Sequence, residues 1–147
     1  RQAQAADGAL RGAGYANVRV AAEATREEGG SPGSGVVLWA EAVGAMRIGA
    51  DALGAREKRA EAVGAEAAGR LMAELGTGMA VDSHMADMII LYMAIAGGAS
   101  EVGVARLTDH AETMMWLTKE FLGTEWQALK SPSGGAVIRT VGAGLLG

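Results

Sequence analysis

The sequence predicts an α+β protein in which a small α+β module is followed by a β-α-β-α-β-β unit with helices packed on one face of a sheet. Short runs of alternating apolar and polar residues, typical of strands, are separated by longer segments with the three-to-four-residue apolar period of helices. Glycines punctuate these segments, and 23 of the 147 residues are glycine. We place the boundary near residue 78, which gives domains 1–78 and 79–147.

The first module combines helical and strand patterns. Its predicted helices cover 2–12 and 57–75, and its predicted strands cover 17–25, 36–42 and 46–53. The second helix is amphipathic, because Val63, Ala67, Leu71 and Leu75 recur every four residues with charges between them. Three strands in succession with short links indicate antiparallel hairpins.

The second module contains two predicted helices with recognisable ends. Asp82 or Ser83 caps the first, which runs to about Ala96 and is closed by a glycine pair. The second is expected to open at His110, because Asp109 precedes Glu112 by three residues, as in a capping box.

Strands and an apolar helix stripe complete the second module. Its predicted strands cover 77–81, 100–107, 124–129 and 136–141. Met114, Leu117 and Phe121 form the apolar stripe of the second helix. The helices are expected to cover one face of the small sheet that these strands form.

Composition excludes several classes of function. The formal charge of −4 disfavours a free-standing nucleic-acid binder, because phosphate neutralisation needs a basic face. The absence of cysteine excludes disulfides, thiolate metal sites and a Cys nucleophile. The longest apolar run, 88–99, is shorter than the ~20 residues of a membrane-spanning helix, so we expect a cytoplasmic protein without membrane partners. The chain begins with Arg1 rather than Met, as expected of a processed or cut piece.

Two histidines, His84 and His110, lie at predicted helix N-termini, where a histidine is most often a surface or capping residue. His110 is the stronger candidate for chemistry, because the unpaired N–H groups and partial positive charge of a helix start favour an anion and a neutral imidazole. A neutral imidazole beside a bound phosphate suits a histidine nucleophile or a phosphate-binding histidine.

The segment 82–87 places Asp82, His84 and Asp87 close together, which is a weak signal for a zinc or manganese site. Asp82 is also the natural helix cap. Asp87 lies one turn from His84 on an apolar helix, where a carboxylate is costly unless it has a partner. We therefore expect a polar pocket at that end of the helix and assign no metal ligands.

Four stretches together resemble the RNA 3′-terminal phosphate cyclase family, particularly its archaeal members. They are 31–41, 48–54, Val81-Asp82-Ser83-His84-Met85-Ala86-Asp87, and Thr108-Asp109-His110-Ala111-Glu112-Thr113 continuing through Trp116 to Phe121-Leu122. The resemblance covers nearly the whole chain in the family's order. It implies that domain 1–78 is the domain inserted into the catalytic body and that 79–147 is a repeat of that body.

The resemblance also implies an activity. Family members use ATP and a divalent metal, Mg or Mn, to convert an RNA 3′-phosphate into a 2′,3′-cyclic phosphate through a covalent histidine–AMP intermediate. His110 matches the nucleophile, Asp87 matches an acid of the nucleotide pocket, and His84 matches a position where a ring stacks on adenine. Met88 stands where bacterial members commonly carry Gln, and Met114 where Asn is usual.

Members of the family are longer than this chain, so the resemblance implies a C-terminal portion. Its partners would be RNA 3′-phosphate ends, ATP and the N-terminal part of the same protein, which supplies arginines and a metal-binding acid. The isolated chain is then expected to be weakly active or inactive.

Two other classes of function stay open at this stage. A non-catalytic cyclase-like module could serve RNA processing or ribosome biogenesis as a scaffold, although such relatives lack the nucleophile that His110 matches. A metal hydrolase built on Asp82, His84 and Asp87 is the third reading of the sequence.

Overall fold

The computed structural model describes residues 1–24, 33–41 and 46–145. It divides into two compact units, one formed by residues 1–40 and 49–73 and the other by 41–48 and 74 onward. Both contain helices and small antiparallel sheets, so the predicted α+β class is confirmed.

Two helices and a two-stranded sheet make up the first part of the chain. In chain order they are α1 (Gln2–Gly12), β1 (Gly35–Glu41), β2 (Arg47–Leu53) and α2 (Ala60–Gly76). Val36 and Ala52 of the strands and Val63 and Ala67 of α2 bury their side chains together with Ala6 of α1. This core is made of small side chains, which lets the helices approach closely.

The strand predicted at 17–25 is wrong over the described residues 17–24, which have no regular secondary structure. The side chain of Arg11 explains the difference, because its guanidinium donates to the carbonyls of Ala16 (2.9 Å) and Val18 (3.0 Å). These carbonyls are thereby satisfied without a neighbouring strand. Thr25 and Ala42, at the ends of two predicted strands, lie outside the described residues.

The second unit contains two helices and a three-stranded sheet. In chain order they are α3 (Ser83–Ile95), β3 (Gly97–Val104), α4 (Asp109–Leu122), β4 (Trp126–Lys130) and β5 (Ala136–Ala143). The antiparallel sheet has the order β3-β5-β4, and Ile138 of β5 is paired with Val102 on one side and Ala128 on the other. The strand predicted at 77–81 reduces to a single parallel bridge between Val81 and Val104.

The helices cover one face of this sheet, as predicted. Ile90 and Met93 of α3 and Ala111 of α4 pack against Ile138 and Ala136 of β5. The alternate residues Arg139 and Val141 are exposed on the other face. Phe121 is 81% exposed, so its predicted place in the apolar stripe of α4 is wrong, whereas Met114 does pack against the core.

No helix within residues 1–24, 33–41 and 46–145 has the length and apolar character needed to cross a membrane.

Candidate active site

The first turns of α3 and α4 line one open hollow of the second unit. The hollow has a volume of about 810 Å³. Its lining residues are Ser83, His84, Asp87, Arg106, Leu107, Thr108, Asp109, His110 and Met114. Two helix starts therefore present their first turns, and the partial positive charge of those turns, to the same space.

The start of α3 is fixed by two carboxylates. Asp82 is its N-cap, as predicted, and its Oδ1 accepts a hydrogen bond from the Met85 N–H at 2.8 Å. Glu74 accepts from both the N–H (3.1 Å) and the hydroxyl (2.7 Å) of Ser83. The exposed His84 follows immediately as the second helical residue, so its imidazole is carried by a turn whose backbone is tightly held.

The start of α4 differs from the capping box predicted at Asp109 and Glu112. The N-cap is Thr108, one residue earlier, and its Oγ1 accepts from the Ala111 N–H at 3.0 Å. Asp109 and Glu112 instead lie within the first turn, where their negative charge favours the helix start. His110 is exposed and is the second residue of this helix, the same position that His84 has in α3.

A side-chain hydrogen bond joins the two helices beneath the hollow. The Thr108 hydroxyl donates to Oδ1 of Asp87, a half-buried residue in the second turn of α3. A carboxylate on this apolar helix was expected to have a polar partner. The partner of Asp87 is Thr108, the N-cap of α4.

Three of the four predicted site residues come together here. His84, Asp87 and His110 all line the hollow. Met88 is outside its lining and is 62% exposed on α3. Met114 lines the hollow and also packs on the core of the unit.

Arg106 is a site residue that the sequence reasoning missed. Within the described part of the chain it is the one Lys or Arg that lines the hollow, and there it makes no hydrogen bond or ion pair. Lys119 and Arg139 of the same unit pair with Glu125 and Glu101. Arg106 lies just before the motif 108–113, in a stretch with few basic residues. That position is the sequence signal from which it could have been predicted.

Among residues 1–24, 33–41 and 46–145, no group of three or more His, Asp or Glu side chains is placed to hold a metal ion. The described residues therefore do not support a metal hydrolase built on Asp82, His84 and Asp87. What the hollow does offer is two imidazoles, two carboxylates, a free guanidinium and the partial positive charge of two helix starts. Such a set suits nucleophilic chemistry on an anionic phosphorus centre.

A family model for the insert domain of RNA 3′-terminal phosphate cyclase matches residues 1–76. The chain belongs to the RNA 3′-terminal phosphate cyclase family. It is also similar to RNA 3′-terminal phosphate cyclases from several archaea. It is 44% identical over 114 residues to that of Korarchaeum cryptofilum, 49% over 125 residues to that of Ignicoccus hospitalis and 41% over 141 residues to that of Thermococcus gammatolerans.

These matches take in most of this chain but a minor part of each cyclase. The alignments cover 78%, 83% and 96% of this chain, and 32%, 35% and 40% of the respective relatives. The chain thus spans a little over a third of the length of the curated cyclases that it matches.

Proposed function

We propose that this chain is the nucleophile-bearing part of an RNA 3′-terminal phosphate cyclase that converts an RNA 3′-phosphate into a 2′,3′-cyclic phosphate at the expense of ATP. The observation that carries the proposal is the position of His110. It is exposed in the first turn of α4, on a hollow that also holds His84 and Asp87. We place the reaction in the cytoplasm, where ATP and RNA are both available.

In the first step, a ring nitrogen of His110 attacks the α-phosphorus of ATP. A P–N bond forms, the bond from the α-phosphorus to the bridging oxygen breaks, and pyrophosphate leaves with that electron pair. The neutral imidazole supplies the lone pair for the attack. The first-turn N–H groups of α4 favour the negative charge that builds on the phosphoryl oxygens.

In the second step AMP passes from His110 to the RNA 3′-phosphate, and in the third step the RNA end cyclises. An oxygen of the RNA 3′-phosphate attacks the α-phosphorus, and the P–N bond returns its electron pair to His110. The adjacent 2′-hydroxyl then attacks the RNA phosphorus, loses its proton and displaces AMP. Activation by AMP turns a poor leaving oxygen into a good one, which is the gain of the covalent route.

We assign nucleotide binding to other residues that line the hollow and to Met88, which lies outside its lining on α3. In our proposal the His84 ring stacks on the adenine, Asp87 contacts the nucleoside, and the side chain of Met88 borders the base from α3. Arg106, which lines the same hollow, is proposed to contact the phosphates of the nucleotide. A divalent ion would supply positive charge to the phosphates, and in our proposal its protein ligands lie mainly outside this chain. The described residues hold no group of three or more His, Asp or Glu side chains placed for such an ion.

The decisive experiment follows label from ATP to protein. The 147-residue chain is incubated with ATP labelled at the α-phosphate and with Mg or Mn, alone and together with the N-terminal part of an archaeal cyclase. We expect transfer of the α-label but not of a γ-label. A histidine–phosphorus bond is labile in acid and stable in alkali, which distinguishes it from an ester.

Variants of the two histidines provide a matched comparison, since both are second residues of their helices. His110→Ala should abolish labelling at every ATP concentration. His84→Ala should retain labelling but require more ATP. Equal labelling of the His110→Ala chain, or no labelling of the wild type in any mixture, would contradict the proposal.

A second candidate function, a non-catalytic partner-binding module, is favoured by exposed apolar side chains on the two helices. Tyr92 of α3 is 61% exposed, and Trp116 and Phe121 of α4 are 58% and 81% exposed. A stable complex that forms without ATP and is unaffected by His110→Ala, as measured by size-exclusion chromatography, would support this alternative.

A further inference from the structure

The hydroxyl of Thr108 makes two bonds in opposite directions. It accepts from the Ala111 N–H at 3.0 Å and donates its hydrogen to the carboxylate of Asp87. The directions are fixed, because an amide N–H only donates and an ionised carboxylate only accepts. One side chain thus closes the first turn of α4 and ties that turn to α3.

His110 lies inside the turn that Thr108 closes. Thr108, two residues before His110, is the N-cap. Ala111, directly after His110, donates its N–H to the Thr108 hydroxyl. The Thr108 carbonyl also accepts from the Glu112 N–H at 3.0 Å. The backbone on both sides of His110 is therefore held from one residue, and that residue is anchored on Asp87.

We infer that Thr108 is a positioning residue for the reaction: its bond to Asp87 holds the first turn of α4 against α3 so that His110 faces the nucleotide contacts. The inference rests on the proposed function, since it assigns Thr108 an effect on the His110 nucleophile. Thr108 itself takes no part in the chemistry. A change of about 1 Å in the position of a reacting group is enough to slow a reaction by about a hundredfold.

Three substitutions of Thr108 separate the link between helices from the cap. Thr108→Ser keeps both bonds. Thr108→Asp keeps the cap, because a carboxylate is a good N-cap, but it has no hydrogen for Asp87 and is repelled by it. Thr108→Val removes both bonds at nearly constant shape. Thr113→Val is the matched control on the same helix, since the Thr113 hydroxyl bonds only within its own helix, to the Asp109 carbonyl.

The rate of labelling by ATP distinguishes a positioning residue from a cap. We expect Thr108→Ser and the control to label at close to the wild-type rate. Thr108→Asp and Thr108→Val should both label about ten- to a hundredfold more slowly, with the ATP concentration for half-maximal rate unchanged. If Thr108→Asp labels as fast as wild type, Thr108 acts only as a cap and the inference is overturned.

Two measurements on the same 147-residue chain need no activity. Urea unfolding of Asp87→Ala, Thr108→Val and the double variant should give midpoint shifts that are not additive, because the two residues are bonded. Residual dipolar couplings of the amides of residues 109–111 should change in Thr108→Asp, which reports a reoriented first turn. Additive shifts or unchanged couplings would refute the inference even where no labelling occurs, whereas absence of labelling of the wild-type chain in every mixture would refute the proposed function.

Discussion

Two glycines of α2 are predicted to respond in opposite ways to the same substitution. Gly64 is buried, and a Cβ built on it would lie 2.9 Å from the backbone nitrogen of Ala6 and 3.0 Å from the Cβ of Ala5, with the carbonyl oxygen of Gln2 nearer still. Gly69, five positions along the same helix, is exposed and has nothing within 4 Å of such a Cβ. We therefore expect Gly64→Ala to destabilise the first unit and Gly69→Ala to stabilise it.

The magnitudes follow from two opposing effects. Alanine is favoured over glycine inside a helix by about 0.5–1 kcal/mol, and at Gly69 this is the whole effect. At Gly64 the new methyl group clashes with backbone atoms of α1. Backbone atoms cannot move aside by a rotamer change, as the end of a flexible side chain can. The helices must separate, and overpacking of this kind costs about 1–3 kcal/mol. The steric cost exceeds the propensity gain, so the free energy of unfolding should fall.

Urea unfolding followed by far-UV circular dichroism measures both variants against the wild type. Gly69→Ala should move the midpoint up and Gly64→Ala should move it down, with unchanged slopes. The double variant should show the sum of the two shifts. If Gly64→Ala is as stabilising as Gly69→Ala, then α1 does not pack on α2 at Gly64, and the description of this core is wrong.

Three further substitutions test the described contacts by urea unfolding. The hydrogen bond from Lys58 is the main reason that the pKa of Glu66 lies below its usual 4.5, so Glu66→Gln should lower the stability at pH 7, and this difference should fade as the pH falls below about 4.5 and through the lowered pKa. Ile138→Ala, which empties a fully buried site in β5, should cost about 2–5 kcal/mol. Trp126→Phe should cost about 1 kcal/mol, because it removes the 2.9 Å bond from the indole N–H to Thr118.

Each of these substitutions has an exposed control of the same or a similar residue type. Glu23→Gln changes an exposed carboxylate and should change the stability at pH 7 by less than about 0.5 kcal/mol. Val141 lies on the same strand as Ile138 but is 66% exposed, and Val141→Ala truncates its side chain. Trp116→Phe changes an indole that is 58% exposed. Both should stay within about 0.5 kcal/mol of wild type. If a control loses as much free energy of unfolding as its counterpart, then the contact described for that counterpart is not the cause of the loss.

Most element positions could be predicted because their signals are local. The glycine pair after α3, the cap at Asp82 and the four-residue period of α2 are all readable within one or two turns of sequence. The start of α4 shows the limit of such signals. Thr108 and Asp109 are both good N-caps, and Thr108, the one that caps the helix, also donates its hydroxyl hydrogen to a carboxylate of another helix.

The strand predicted at 17–25 failed for a reason that alternation does not encode. Val18 and Val20 have the strand period, yet Val20 is 53% exposed, and no strand among residues 1–24, 33–41 and 46–145 pairs with either of them. Arg11 reaches the backbone of this segment from α1 instead. A period of two identifies a strand only where a second strand is available to complete the hydrogen bonds.

The candidate site was predictable in its residue types but not in its connections. His84, Asp87 and His110 came from their motifs, and the structure places all three on one hollow. The bond between Asp87 and Thr108 spans 21 positions, so no local pattern contains it. Arg106 precedes the motif 108–113 without belonging to it, and it is the fold that places its side chain at the hollow.

The charge of this hollow limits what it contributes to binding phosphates. Its lining sets the single guanidinium of Arg106 against the carboxylates of Asp87 and Asp109, which leaves a net negative charge when both imidazoles are neutral. The two helix starts add roughly half a positive charge each, and only within their first turns. A triphosphate carries far more negative charge than these groups balance. The proposed reaction therefore assigns the nucleophile and the nucleoside contacts to this hollow, and it requires that a divalent ion and basic groups from outside the hollow hold the phosphates and the RNA.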